Sequence, residues 1–227
     1  MSQKFAVMQS NYIPWKGYFD LINDVDTLII YDDVQFTKND WRNRNKIKTQ
    51  QGPLWLTVPV GQDISRNVNE VMIAEKAWQK KHWKTLELNY KKQKGFSQYK
   101  DFFENFYLSK TWENLSEMNQ YLIENICQFL KISTEIKRSE FFNKKGEGSI
   151  KLLSLLKDAD AKEYFSGPAG LNYFSEKDFK KENIKLTIKK YGPYQQYDQP
   201  YGEFINEVSV LDLLFCCGDE SAKYFKS

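Results

Sequence analysis

The chain has 227 residues, 41% of them apolar and 16% aromatic, and its 33 basic and 30 acidic side chains leave a net charge of +3. That length suits a single α/β domain with a sizeable core. The charge is too small and too well mixed for a nucleic-acid binder, and no run reaches the roughly 18–20 apolar residues of a membrane span.

In chain order, "KFAVMQ" (4–9) reads as a first strand that runs into the polar turn "QSNYIP". "PWKGYFDLIND" (14–24) reads as a helix with Pro14 at its first position, where a missing N–H costs nothing. The β-branched "TLIIYDDVQF" (27–36) gives a second strand, residues 37–52 a polar loop, and "LWLTVPV" (54–60) a third strand. From 74 to about 132 the pattern is helical. Trp78, His82 and Leu86 recur at i, i+4 and i+8, as do Leu122, Ile126 and Leu130, with Ser116 as the expected N-cap. The last third offers the helix "SIKLLSLLKDAD", the strand "KEYFSG", the helix "LNYFSEKDFKKENI" and the strand "KLTIKKY". An aromatic loop, "YGPYQQYDQPY", then leads to a closing helix. Strands alternating with helices argue for one α/β domain over 1–227, a mainly parallel Rossmann-like sheet with helices on both faces and a helical insert in the middle.

Cys127, Cys216 and Cys217 are an odd set with one vicinal pair and no CxxC or Cys/His spacing. They read as reduced thiols of a cytoplasmic protein without a metal site. The first residues lack the charged and apolar regions of a signal peptide, which fits the same location.

Parallel sheets bind ligands at the carboxyl ends of their strands. Gln9, Asn11, Tyr12, Trp15 and Gly17 follow the first strand, Asp32, Asp33 and Gln35 end the second, and Ser166, Gly167 and Tyr173 follow a later one. Gly17 costs its helix up to about 1 kcal/mol against alanine. Either a ligand or another part of the chain passes too close for a Cβ there, or the helix packs tightly on a strand. The adenylyl-transferring Rossmann-like enzymes carry HxGH at this place; here Trp15-Lys16-Gly17-Tyr18 keeps the glycine and lacks both histidines. Nucleotidyl transfer then loses its best electrostatic help.

Trp41-Arg42-Asn43-Arg44-Asn45 is the leading binding candidate, because arginine offers a bidentate fork to phosphate and asparagine both donor and acceptor. On extended chain Arg42 and Arg44 would face one way and clamp one anion, and the alternative is a solvated basic loop. His82, the single histidine, is the expected general base. Asp32 and Asp33 are consecutive on a strand end, so only one can face the crevice and orient that histidine or bind a sugar. No Walker A, GxSxG or GxGxxG motif is present.

"MQSNYIPWKGYFDLI", "IIYDDVQFTKNDWRNRNKIKT", "LWLTVPV", "FSGPAGLNYF" and "QPYGEFINEVSVLDLLFCCG" together resemble the WbqC-like family, from Met8 to Gly218. Ser10 departs from the proline common in that family. The resemblance implies a place in the biosynthesis of O-antigen and other bacterial surface polysaccharides. By that context the substrate is a nucleotide-linked amino sugar, and the expected reaction is transfer of an acyl or aminoacyl group to its amine. ATP-dependent ligation or nucleotidyl transfer on a sugar is one alternative; a non-catalytic binding or scaffold role is another. No tightly bound cofactor is expected beyond an acyl donor or ATP, and a homodimer is possible.

Overall fold

The computed structural model describes residues 3–226. Five parallel strands form the central sheet: β1 (Lys4–Met8), β2 (Thr27–Ile30), β5 (Glu135–Arg138), β6 (Glu163–Ser166) and β7 (Lys185–Ile188), in the order β5-β2-β1-β6-β7. Every residue of β2, "TLII", is buried, as expected of a strand covered on both faces. Alternation along the strands assigns the two cores. Ala6, Leu28 and Ile30 join the larger cluster with α1 (Lys16–Asn23), α2 (Ala77–Tyr90), α3 (Phe96–Glu104), α4 (Leu115–Phe129) and α7 (Val210–Cys217). Phe5 and Ile29 point the other way, to α5 (Gly148–Asp158) and α6 (Glu176–Lys181). The fold is therefore α/β with a parallel sheet between helices, as the alternation predicts.

The helical periodicities hold: Trp78, His82 and Leu86 are buried, as are Leu122, Ile126 and Leu130. Elsewhere the chain departs from the sequence reading. Residues 44–49 are a strand, β3 (Arg44–Thr49), rather than part of a polar loop. It pairs antiparallel with β4 (Gly52–Thr57), and this hairpin stands apart from the central sheet. Its polarity hid it, yet Lys48 is buried because its ammonium meets Gln199 Oε1 at 3.2 Å and the carbonyls of the 202–203 turn. Helix α1 starts at Lys16 with Trp15 as N-cap, so Pro14 precedes it. Asn114, not Ser116, caps α4, its side chain accepting from Glu117 N at 3.0 Å. Strand β5, with the charged sequence "EIKR", escaped detection at the sheet edge.

From β1 the chain moves outward to β2 and β5, then crosses to the other side of β1 for β6 and β7. The carboxyl ends of β1 and β6 thus flank the point where strand order reverses, the place such sheets reserve for ligands.

Candidate functional site

Residues 9–15 leave β1 as an irregular turn. Ile13 within it has φ +38°, a region that β-branched residues rarely enter. The surrounding structure holds it there. Asn45 Nδ2 donates to the Ile13 carbonyl at 2.8 Å, Asn45 Oδ1 accepts from Lys46 N at 2.8 Å, and Tyr12 N donates to the Trp41 carbonyl at 2.9 Å. The turn and the start of the hairpin are thereby one unit. Between them opens a cavity of about 350 Å³ lined by Asn11, Pro14, Trp15, Trp41, Asn45 and Glu207. Two indoles and a proline make apolar walls. The Asn11 side-chain amide has no hydrogen bond and Glu207 no ion pair among the described residues.

Gly17 answers to the wall of this cavity. A Cβ there would stand 2.2 Å from the Trp15 ring. That ring is in turn boxed by Tyr191 and Tyr194, with centroids at 5.2 and 6.1 Å.

The basic segment does not form the symmetric clamp expected of extended chain. Residues 41–43 are a turn, so Arg42 precedes the strand on which Arg44 lies. Arg42 donates to Asp40 and to Gln9 Oε1, which joins two candidates from separate segments. Arg44 instead lies over the Trp55 ring, 4.3 Å from its centroid, and Lys46 covers the same ring at 5.0 Å. Asn43 is buried and holds the turn, donating to Val58 O at 3.0 Å and accepting from Asn39 N at 3.2 Å.

Asp32 and Asp33 address different surroundings, as consecutive residues should. The buried Asp32 carboxylate accepts from Ser10 N at 2.8 Å, from Ser10 Oγ at 2.6 Å and from Ser116 Oγ. Burial raises its pKa, against the opposing hydrogen bonds of Ser10 and Ser116. Asp33 takes Lys144 and Lys151, each at 3.1 Å, and the Ser139 hydroxyl. Burial works to raise its pKa, and those three partners outweigh it, leaving the carboxyl below its ordinary range. Gln35 is exposed and bridges Asn67 through the main chain.

His82 lies in a second cleft, of about 480 Å³, between β4 and the start of α2. Its Nδ1 is 2.8 Å from the Tyr12 hydroxyl, which is 2.7 Å from the Tyr107 hydroxyl. Thr57 hydrogen-bonds the ring through its backbone. A ring N–H donated to the Thr57 carbonyl leaves Nδ1 to accept from Tyr12, and Tyr12 to accept from Tyr107. Burial, aided by the Lys81 charge, pushes the His82 pKa down to about 3 despite the Thr57 bond. The ring is neutral at pH 7 and a weak proton acceptor.

Ser166 is buried at the end of β6, with Oγ donating to Gly167 O at 3.1 Å. Gly167 packs under the Tyr191 hydroxyl. Tyr173 is 78% exposed and outside the cavity lining. The structure therefore gathers Asn11, Trp15 and Trp41 in one cavity, with Gly17 beneath Trp15 and with Gln9 and Arg42 bonded to each other. It sets His82, Asp32, Asp33 and Tyr173 apart from that lining.

Sequence reasoning overlooked Glu207 and Lys16. Glu207 lies in the long stretch between β7 and α7, and only its acidity just ahead of an apolar helix marks it. Lys16 is buried, with its ammonium 4.8, 5.3 and 5.0 Å from the ring centroids of Tyr194, Tyr197 and Phe204 and without a hydrogen-bond partner. Burial pushes its pKa down to about 8, against the pull of Asp212 and Cys217.

Residues 9–224 match the WbqC-like protein family. The chain belongs to that family. A relative from Mycobacterium tuberculosis (strain ATCC 25618 / H37Rv), the uncharacterized protein Rv1507c, is 43% identical over 226 residues, 99% of this chain and 98% of its own length. No solved structure matches. The matched segment of the WbqC-like chain includes every residue that lines the cavity. No described helix is long and apolar enough to cross a membrane.

Proposed function

We propose that this protein is an enzyme of bacterial surface-polysaccharide biosynthesis that transfers an acyl or aminoacyl group to the amine of a nucleotide-linked amino sugar. The observation that carries this reading is the cavity between the turn after β1 and the start of the β3–β4 hairpin. It combines indole walls from Trp15 and Trp41, a free amide from Asn11 and an unpaired carboxylate from Glu207. Aromatic faces suit the C–H faces of a sugar ring, amides pair with its hydroxyls, and a carboxylate attracts its ammonium.

The same carboxylate has a chemical task. An ammonium must lose a proton before its nitrogen can attack an activated acyl carbon, and Glu207 takes that proton. As the C–N bond forms and the bond from carbonyl carbon to the donor's sulfur or oxygen breaks, the second nitrogen proton passes to the leaving group, which departs as thiol or phosphate. His82, with its lowered basicity and its bond to Tyr12, serves instead as a positioning residue for the turn that carries Asn11 and Trp15.

Incubation with uridine diphosphate amino sugars and acyl thioesters, followed by mass spectrometry, tests the reading. An acylated nucleotide sugar is the expected product, and Glu207→Gln should slow its formation at least about 100-fold. Glu207 is exposed, so the variant should keep its stability within about 0.5 kcal/mol. Formation at the wild-type rate in the variant removes Glu207 from the chemistry. Absence of product across a panel of amino sugars and activated acyl donors rejects the transferase reading.

A further inference from the structure

The cavity of about 350 Å³ lies near the lower bound of ligand sites and holds a sugar ring, not a whole nucleotide sugar. The rest of such a substrate must lie on neighbouring surface. Trp41, which lines the cavity, is 47% exposed, and its ring packs against Trp55, itself 38% exposed, at a centroid distance of 5.5 Å. Lys46 is paired with Trp55 across the hairpin, and Arg44 lies two residues before Lys46 on the same face. Both cations rest over the Trp55 ring. Neither makes an ion pair among the described residues, and the Arg44 Nε is buried without a hydrogen-bond partner.

An exposed pair of indoles beside two cations without ion-pair partners offers the groups that an anion linked to an aromatic ring would need. Along a strand, residues i and i+2 are roughly 7 Å apart, a span that two linked phosphoryl groups can bridge. Indole faces accept a base by stacking, and an arginine held flat on a ring keeps its N–H edges free for phosphate.

We infer that the outer face of the β3–β4 hairpin is a nucleoside diphosphate subsite. Arg44 and Lys46 hold the diphosphate and Trp41 stacks the base. Trp55 supports both cations, and the sugar is directed into the cavity beside Asn11 and Glu207. This assignment rests on the proposed nucleotide-sugar reading and adds Lys46 and Trp55 to the site.

Uridine diphosphate alone is the probe, followed by quenching of tryptophan fluorescence and by calorimetry. Saturable quenching is expected, with inorganic pyrophosphate binding more weakly and uridine more weakly still. The double variant R44A/K46A should bind uridine diphosphate at least about tenfold more weakly and lose most of the salt dependence, while Trp41→Ala should weaken uridine diphosphate but not pyrophosphate. Unchanged thermal unfolding of each variant separates lost contacts from lost fold. No saturable binding by the wild type, or equal affinity in R44A/K46A, overturns the subsite. Acyl transfer to a free amino sugar without nucleotide binding would reject this inference alone. Nucleotide binding on the hairpin without any transfer would instead reject the transferase reading alone.

Discussion

The indole of Trp15 lies across Gly17 so closely that a single added methyl would overlap its ring at 2.2 Å. This contact joins helix α1 to the wall of the candidate cavity, and a small substitution tests it. Gly17→Ala gains up to about 1 kcal/mol of helix propensity but must move an indole already boxed by Tyr191 and Tyr194. Overpacking of that kind costs about 1–3 kcal/mol, so a net loss of stability is expected. Ligand affinity should fall further than stability, since the displaced ring enters the cavity. Denaturant titration together with binding of a nucleotide amino sugar checks this, and full affinity in G17A would mean that Trp15 does not shape the site.

His82 makes a prediction in pH. Its folded-state pKa, about 3, lies below the unfolded value of about 6.5. Between those values the unfolded chain binds the extra proton, so this contribution is fully present above about pH 6.5 and is lost as pH falls toward 3. The slope is at most about 1.4 kcal/mol per pH unit. Buried Asp32 and Asp212, whose pKa values are raised by burial, act with the opposite sign near the carboxylate range. The difference between wild type and His82→Gln therefore isolates the histidine. Urea unfolding at pH 7, 6 and 5 should show wild type losing stability relative to H82Q. Parallel curves would mean that the imidazole is not held neutral.

Asp212 fastens the long irregular segment after β7. Its Oδ1 accepts from the Tyr197 hydroxyl and Gln199 Nε2, each at 2.7 Å, and its Oδ2 accepts from the Tyr90 hydroxyl at 2.8 Å. Asp212→Ala deprives three buried or half-buried donors of their acceptor, at about 1 kcal/mol or more each, so a loss of roughly 3 kcal/mol is expected. Residues 192–208 should also become the first site of limited proteolysis, because Tyr197 and Gln199 lie within them. Cleavage elsewhere at the wild-type rate would contradict the anchoring role.

What could be read in the sequence follows the range of the forces involved. The apolar repeat Trp78, His82, Leu86 and the β-branched "TLII" record burial that neighbouring residues share, and both were visible. Of the residues expected at one crevice, the cavity takes Asn11 and Trp15 from the turn after β1 and Trp41 from the basic segment, while Asp32, Asp33, Ser166 and Gly167 at the other strand ends lie outside its lining. Lys48 was not visible as a buried residue, because its acceptors lie some 150 residues onward, at Gln199 and Glu203. Ser116 looked like a cap because caps are serines, yet its hydroxyl serves Asp32, 84 residues away. Glu207 is marked only by its acidity ahead of an apolar helix, and Trp55 only by its place in a strand; folding is what brings both beside Trp41.

Tyr12 is shared between two neighbourhoods. Its main chain is tied to Trp41 beside the first cavity, while its hydroxyl reaches His82 in the wall of the second cleft. A tyrosine ring is rigid, so a shift at one end of it is a shift at the other. The turn that borders the first cavity and the imidazole that borders the second are therefore held in register by one residue, and displacing the Tyr12 main chain would also displace the hydroxyl bonded to His82.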